Sequence, residues 1–428
     1  VTPDSFQQPP SVSSNLVTVV DPEFQAPMTH GWSLSYQREL WSRGTLEVAY
    51  IGRRAEHLFG AYNVNQAEIR KNGFLDAFKV VKAGGESDLI NRLGAVDTRR
   101  LTTETGSQMV RRLYANELAL NSVAAVAASL GSRIQGTSTL AELAGLGPYF
   151  FFPYPQFLGG VRVIDSNDYS RYHALEVKLS RRFADGYSYL FGYTWSRSRD
   201  TRSYDPAFTV VSTGNVQSAS STPFDIFNRN LNYALSDFDR THVFQAQWIY
   251  ELPFGHRRRF ASDVNGVVNG LIGGWQIAGQ MVVQTGRPFT VYSGSNTLSN
   301  VVQTPANCSS CTGREGTVYE EVDSIIWYLN AEERAKFGIP GAGEFSDIGR
   351  NAFRGDGGYY VNVSISKRID VAGGQYLEIR ADGTNVTNIP IFGIPTAAAV
   401  VTSTTFGRIR NSTTSTARQI QLGVKYSF

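Results

Sequence analysis

The sequence predicts an all-β fold: a transmembrane antiparallel β-barrel, of which this chain carries about nine C-terminal strands joined by long loops that contain short helices. Three observations predict it. The last nine residues alternate strictly, with Ile420, Leu422, Val424, Tyr426 and Phe428 apolar and Gln421, Gly423, Lys425 and Ser427 polar or small, so one face of the strand is greasy and the other wet. A soluble sandwich edge offers the same alternation, but rarely ends flush on an aromatic residue. The pattern also recurs upstream with aromatics on its apolar face. Finally, only 42% of the 428 residues are hydrophobic and mean hydropathy is -0.22, with no unbroken apolar run near the ~20 residues a membrane helix needs. The 41 Gly, 21 Tyr and 25 Phe suit a turn-rich barrel, whose membrane face escapes hydropathy because only alternate residues meet lipid.

Residues 1–28 carry Pro, Ser and Asn without periodicity and are expected to be an extracellular loop, with the barrel portion over 29–428. Trp32, Leu34 and Tyr36 then alternate with Ser33, Ser35 and Gln37, and after the turn Trp41-Ser42-Arg43-Gly44 a second strand aligns Leu46, Val48 and Tyr50. Residues 60–167 show no alternation but include a helix-like portion near 105–131, with Met109, Leu113, Leu118 and Leu120 among Arg and Glu. A loop this long argues against a compact soluble domain, whereas barrels carry long extracellular loops.

The clearest hairpin runs Leu175, Val177, Leu179, then the turn Ala184-Asp185-Gly186, then Tyr187, Tyr189, Phe191, Tyr193 and Trp195 on one face. Five aromatics in a row suit lipid and its interfaces, where Tyr and Trp favour the headgroup level. After a polar loop over 201–238, Phe244, Ala246, Trp248 and Tyr250 alternate with Gln245, Gln247 and Glu251. Trp275, Ile277, Gly279, Met281 and Val283 then alternate with Gln276, Gln280 and Gln284. The lipid-facing aromatics are thus Tyr187, Tyr189, Phe191, Tyr193, Trp195, Phe244, Trp248 and Tyr250, and the Gln-lined opposite face implies a wet lumen. A polar segment over 290–355, with a short helix expected at 331–337, precedes Val361, Val363 and Ile365, the turn Val371-Ala372-Gly373-Gly374, and Leu377, Ile379 and Ala381 opposite Glu378, Arg380 and Asp382. A last loop over 388–415 leads to the terminal strand.

This reading gives nine spanning strands whose connections alternate short and long, the one between about 253 and 272 being longer than its short companions. With short turns periplasmic, the C-terminus is periplasmic in a bacterial outer membrane. A closed single-chain bacterial barrel has an even count, and an open sheet edge in lipid strands unpaired N–H and C=O groups at several kcal/mol each. Further strands are therefore expected to precede Val1, on the same polypeptide or a companion chain. The chain opens Val1-Thr2-Pro3 without an initiator Met or a basic-then-apolar leader, as expected of a processed exported protein or a fragment.

Several segments carry a family resemblance: Tyr172-His173-Ala174-Leu175-Glu176-Val177-Lys178-Leu179-Ser180-Arg181-Arg182-Phe183, Gly192-Tyr193-Thr194-Trp195-Ser196, Glu251-Leu252-Pro253-Phe254-Gly255, Gly273-Gly274-Trp275-Gln276, Gly349-Arg350-Asn351 and Asn385-Val386-Thr387-Asn388. As a set they resemble the C-terminal half of large TonB-dependent receptors, particularly the type with a carboxypeptidase-regulatory-like N-terminal domain abundant in Acidobacteria. Pro27-Met28-Thr29-His30-Gly31-Trp32, Gln37-Arg38-Glu39 and Tyr50-Ile51-Gly52 look like that family too, so the resemblance spans nearly the whole chain. It implies a 22-stranded barrel around a plug, and counting nine strands back from 22 makes the first one here number fourteen. Implied partners are outer-membrane lipid, the remaining strands and plug, a periplasmic TonB-type energy-coupling protein, and the barrel assembly machinery. That machinery's signal resembles the terminal strand residues Ile420, Leu422, Val424, Tyr426 and Phe428.

Chemistry beyond this is sparse. The Lys and Arg residues are scattered and formal net charge is +3, which gives no prior for nucleic acid. The five histidines, His30, His57, His173, His242 and His256, have no G-x-S-x-G or comparable set beside them, so catalysis is not expected and no cofactor is implied. Cys308 and Cys311, the only cysteines, lack a second pair or nearby His to complete a metal set, and are expected to form a loop disulfide in an oxidising compartment. Asp237-Phe238-Asp239-Arg240 and the loop residues Arg92, Arg99, Arg100, Arg111 and Arg112 fit either a substrate funnel or, as the plainer account, solvated loop charge. Glu378, Arg380 and Asp382 form a lumen-facing charge cluster, expected to pair with a plug or to pass solute. Arg257, Arg258 and Arg259, after Gly255-His256, suit lipid headgroups better than nucleic acid. The sequons at Asn362 and Asn385 carry no meaning in barrel strands. Two function classes remain: uptake of a scarce solute, or an adhesive or structural barrel that displays its loops.

Overall fold

The computed structural model describes residues 16–41, 43–203, 223–316, 320–322, 325–371, 374–393, 399–409 and 416–428. Most of the opening loop, Ser42 and Ala372-Gly373 in two turns, and parts of the loops expected at 201–238, 290–355 and 388–415 lie outside the described residues.

The main sheet's strands are β1 (Val17–Val20), β2 (Met28–Leu40), β3 (Gly44–Asn63), β4 (Val161–Ala184), β5 (Tyr187–Asp200), β6 (His242–Glu251), β7 (Trp275–Gln284), β8 (Gly358–Asp370), β9 (Tyr376–Thr384) and β10 (Gln419–Ser427), with a two-residue strand at Ala234–Leu235 beside β5. From β2 to β10 each pairs antiparallel with its neighbour in sequence, a meander within one eleven-stranded sheet. Short turns gather at one end of this sheet and long loops at the other, as an antiparallel meander requires. The edge strands β2 and β10 do not pair with each other among the described residues, and both are exposed along nearly their whole length. The Asp185-Gly186 turn has φ of 53° and 86°, the doubly positive geometry that matches strand twist in a two-residue hairpin.

Two strands run well past the ~9–11 residues that cross a bilayer: β3 has 20 residues and β4 has 24. Their register slips between Ala55 and Gly60, with His57 at φ 56°. That bulge reverses the alternation, which is why the sequence reads as loop from residue 60 onward. The overshoot also corrects the aperiodic reading of residues 1–28. Where β4 extends beyond β5, its free edge at Val161–Ile164 is taken up by β1 in parallel, with Val17 N–H donating to Gly160 O at 3.1 Å and Asp21 N–H to Ile164 O at 2.8 Å. Backbone groups left bare there would cost free energy unless paired.

The long connections fold into bodies with cores of their own. Between β3 and β4 lies a helical cap: α1 (Phe74–Lys82), α2 (Asp88–Ala95), α3 (Gly106–Leu113), α4 (Ala115–Ala119), α5 (Val123–Gly131) and α6 (Leu140–Leu143). Its core includes Phe74, Phe78, Val81, Ile90, Leu93, Met109 and Leu130, all buried. Thr105 and Gln108 close a capping box on α3, satisfying two otherwise orphaned donors. A Cβ on Gly94 would meet Gly106 Cα at 2.2 Å, so the α2–α3 crossing depends on both glycines. A second body draws on 285–357 and 385–418. Phe289, Tyr328, Phe337, Phe353, Phe406 and Ile409 pack around the Cys308–Cys311 disulfide, whose Cα atoms are 5.4 Å apart. The two bodies touch: Asn121 Nδ2 donates to Pro340 O at 2.9 Å, and Ala124 N–H to Asn296 O at 3.1 Å.

Candidate functional site

Strand pairing settles which residues share a face. One face carries Leu46, Leu179, Phe191, Ala246, Met281 and Val361 in a single cross-strand ladder. All eight predicted lipid-facing aromatics fall on it, with Tyr189–Phe191 ring centroids 4.9 Å apart and Phe191–Phe244 6.4 Å. Aromatic groups mark both ends of this band. Toward the long loops, Tyr50 meets His173 and Tyr193 meets His242, each phenol 2.8 Å from a ring nitrogen. Toward the short turns stand Tyr187, Tyr250, Trp275 and Tyr426. From Tyr187 to Trp195 the strand spans roughly 26 Å at ~3.3 Å per residue, close to the ~25 Å apolar band of an outer-membrane barrel.

Two tryptophans on this face lie across glycines of the adjacent strand. A Cβ on Gly279 would meet Trp248 Cζ2 at 2.3 Å, and one on Gly52 would meet Trp32 Nε1 at 2.2 Å. The indoles restore the packing that glycine forgoes in a sheet. At the short-turn end two cations sit beneath rings of the same face: Arg181 is 3.6 Å from the Tyr187 centroid and Lys367 is 5.3 Å from that of Trp275.

The opposite face is concave and polar. Thr45, Ser180, Leu190, Gln247, Gln280 and Asn362 follow one another across five strand pairings, and Ser364, Asp382 and Gln421 form a second row. Together with Glu47 and Lys178 they line a trough of ≈ 980 Å³. Arg380 and Asp382 are in this trough and bond to each other, Arg380 Nε donating at 2.8 and 2.7 Å to the two carboxylate oxygens. Residues two apart on one strand share a face, so these two charges pair with each other within the trough, their side chains 55% and 30% exposed. Glu378 stands in register between Arg368 and Lys425.

At the long-loop end, buried carboxylates on strand ends and loops hold arginines. Asp168 pairs with Arg202 at 2.7 Å and Asp239 with Arg354 at 2.5 Å, and Asp165–Arg229, Asp225–Arg70 and Asp200–Arg350 are further pairs. Asp237 accepts from Asn351 Nδ2 at 2.7 Å, and Asp239 accepts the Ser198 N–H at 2.6 Å. The Asp237-to-Arg240 segment is therefore a clamp between loops rather than solvated charge, and its Phe238, Asp239 and Arg240 also line a hollow of ≈ 300 Å³ with Glu176 and Thr194. Arg240, donating to Thr285 O at 2.6 Å, has its pKa lowered by burial and by Arg287 and Arg354 nearby. The cap arginines are internal ties as well: Arg99 to Asp97, Arg111 to Glu86, Arg112 to Glu104, Arg92 to Ala144 O and Arg100 to Gly94 O. Sequence reasoning missed Asp165, Asp168 and Asp200, whose one signal is acidic residues at the far ends of strands, where alternation had already lapsed, and Asp225, a loop residue with no such signal.

Ile420, Leu422, Val424 and Tyr426 lie on the apolar face of β10, opposite Gly383, Ala381, Ile379 and Leu377, and Phe428 follows just beyond the strand, 97% exposed. His30, His57 and His256 lie apart from the His173 and His242 pairs, and no cluster of three His, Cys, Asp or Glu suited to a metal ion occurs among the described residues.

A family model for the outer membrane beta barrel domain matches residues 1–421. No curated protein matches the chain. Among solved structures it is similar to the outer membrane transporter YddB from Escherichia coli at 10% identity and TM-score 0.38, over 96% of this chain and 34% of that one. It is also similar to the FrpB iron transporter from Neisseria meningitidis (9%, TM-score 0.34, 95% and 32%) and to P. aeruginosa FpvA bound to heterologous pyoverdines (8%, TM-score 0.34, 92% and 26%). The chain thus spans about a third or less of the length of these structures.

Proposed function

The chain belongs to the outer membrane beta barrel domain family, and from that premise we propose that it is the C-terminal barrel portion of a TonB-dependent receptor that takes up a scarce solute such as a siderophore, glycan or peptide. As a bacterial outer-membrane barrel it contacts lipid and is not an enzyme. The observation that carries the proposal is the polar trough between two unpaired sheet edges. An edge left open in lipid costs several kcal/mol per unpaired backbone group, so β2 and β10 call for partner strands, and a wide barrel with an amide-lined interior calls for a plug. In this reading the barrel has 22 strands, β2 is the fourteenth, β10 is the last and ends periplasmically at Phe428, and the loop bodies are extracellular. A TonB-type protein acts on the plug, and residues 420–428 are read by the assembly machinery.

Intact-mass analysis of the native outer-membrane protein, with identification of any co-purifying chain, tests this. A precursor or complex that supplies a plug and further strands is expected. A stable membrane species of 47.1 kDa with no other chain would refute it. One observation favours a second reading, in which the barrel displays its loops to partner proteins: the cap has a sealed core of its own, more than a solute gate requires. Under that reading the native complex contains no plug.

A further inference from the structure

We infer that the connection between β6 and β7 is an interfacial anchor that inserts into the leaflet at the short-turn end of the barrel and binds anionic phospholipid there. Its length sets it apart from the other turns at that end, and it contains the helix α7 (Gly266–Ile272), capped by Asn265. Val267 and Leu271, four residues apart on one helix face, are 77% and 69% exposed. No residue of α7 is buried. The rest of the connection is nonetheless ordered against the helix. His256 N–H donates to Asn269 Oδ1 at 2.8 Å, and Gly255 approaches so closely that a Cβ would lie 2.5 Å from that oxygen. Phe254 and Phe260, half exposed, pair at 5.7 Å.

Two contacts fix the side of the sheet on which the helix lies. Trp275, on the apolar face, donates its indole N–H to Leu271 O at 2.9 Å. Lys367, opposite Trp275 on that same face, donates to Gly273 O. The helix is thus continuous with the lipid-facing surface and turned away from the trough. A small helix with bare valine and leucine would expose its apolar face at a cost in water, but at the headgroup boundary that face is buried.

The charge agrees. The connection and its flanks hold Glu251, His256, Arg257, Arg258, Arg259 and Asp263; Arg258 pairs with Glu251 at 2.8 Å, and among the described residues no carboxylate is within ion-pair distance of Arg257 or Arg259. Two exposed guanidiniums beside an apolar wedge match lipid phosphates.

The inference rests on the reading that the short-turn end is periplasmic, where the leaflet is phospholipid. The test uses the native protein with its partner chains in vesicles of phosphatidylethanolamine and phosphatidylglycerol, with a nitroxide on single Val267→Cys, Asp263→Cys or Ile365→Cys variants, no free cysteine being present among the described residues. Oxygen is expected to relax the label at 267 more than an aqueous nickel chelate does, with the reverse at 263. Omitting phosphatidylglycerol, or introducing Arg257→Gln with Arg259→Gln, should lower the inserted population by about 5-fold per arginine. A label at 267 as open to the chelate as that at 263, while 365 stays lipid-shielded, overturns the anchor alone. Shielding at 267 that requires an added periplasmic protein overturns it in favour of protein docking. Chelate access at 365 would overturn the barrel orientation from which it starts.

Discussion

Removing Arg350 should release the second loop body from the barrel while leaving the barrel folded. Its side chain is 1% exposed and that of Asp200, its partner at the end of β5, is 3% exposed. Arg350 also donates to Asp200 O at 3.1 Å and Leu235 O at 3.2 Å. Deleting one member of a buried ion pair typically costs ~3–5 kcal/mol because the other charge stays buried. The lower end applies here for two reasons: Ser203 still donates to Asp200 at 2.7 Å, and Arg350 Nε and Nη1 have no hydrogen-bond partner among the described residues, so the pair carries its own desolvation penalty. At about 3 kcal/mol, Arg350→Ala should raise the local opening equilibrium about 150-fold. Amide exchange at 288–292 and 348–354, read by mass spectrometry on the assembled protein, would report it, with β4 and β5 as internal controls. The double variant Arg350→Leu/Asp200→Leu should recover most of the protection, since apolar replacement of a buried pair is often neutral. Less than tenfold faster exchange in the single variant, or a double variant as open as the sum of the two singles, would refute the clamp.

Neighbouring residues on β7 give an independent test of the two faces: Met281→Arg should cost ~2–4 kcal/mol in the midband whereas Gln280→Arg should be close to neutral, measured as unfolding midpoints from vesicles, and equal costs would contradict the face assignment. Gly279→Val should drive Trp248 off its seat and cost ~1–3 kcal/mol, with a shift in tryptophan emission; an unchanged spectrum and stability would sink the packing account. The cap should loosen in acid. Glu104 is held at about 2, first by its bond to Arg112; burial pushes Asp97 up, but Arg99 and Arg133 outweigh it and keep its pKa low. Both folded pKa values lie below the ordinary carboxylate values of 4.5 and 3.8 that hold in the unfolded chain, so their stabilisation is complete above those values and fades as pH falls, for Glu104 toward about 2. Exchange in α2 and α3 should therefore quicken over that window, and Glu104→Gln should flatten the response.

Legibility in the sequence followed the physics of each part. Between Leu175 and Trp195 every second side chain meets the same surroundings, so the hairpin could be read residue by residue. The alternation failed at His57, where a bulge reverses the phase, and the last four residues of β3, 60–63, were read as loop. In the cap only α3 to α5 were foreshadowed, because residues 105–131 set Met109, Leu113 and Leu118 among Arg and Glu, while α2 turns on Gly94, whose role depends on Gly106 twelve residues away. The rim clamps were invisible for a different reason: Asp168 and Arg202, or Asp200 and Arg350, meet only across the fold, and a lone charge at a strand end reads as solvated.

The polar trough bears on both readings of function through its hydrogen-bonding inventory. Gln247 and Gln280 face each other across β6 and β7, and each side-chain amide has two donor hydrogens and an acceptor with two lone pairs. A strand ladder presents such amides side by side at fixed spacing, so they can satisfy one another only in part, and what remains must face water or another polypeptide. Asn362 shows the alternative: its Oδ1 accepts the Asn385 N–H at 2.9 Å, tying it to the sheet end. A barrel that served only to hold loops aloft would need no such open amide rows, since a narrower lumen could close on apolar side chains. The loop bodies, sealed by their own cores and clamped to the rim through Asp200, Asp225 and Asp239, would hold their shape over either an empty or a filled lumen. The discriminating surface is therefore the trough, where a plug would protect the Gln247 and Gln280 side-chain amides from exchange and bulk water would not.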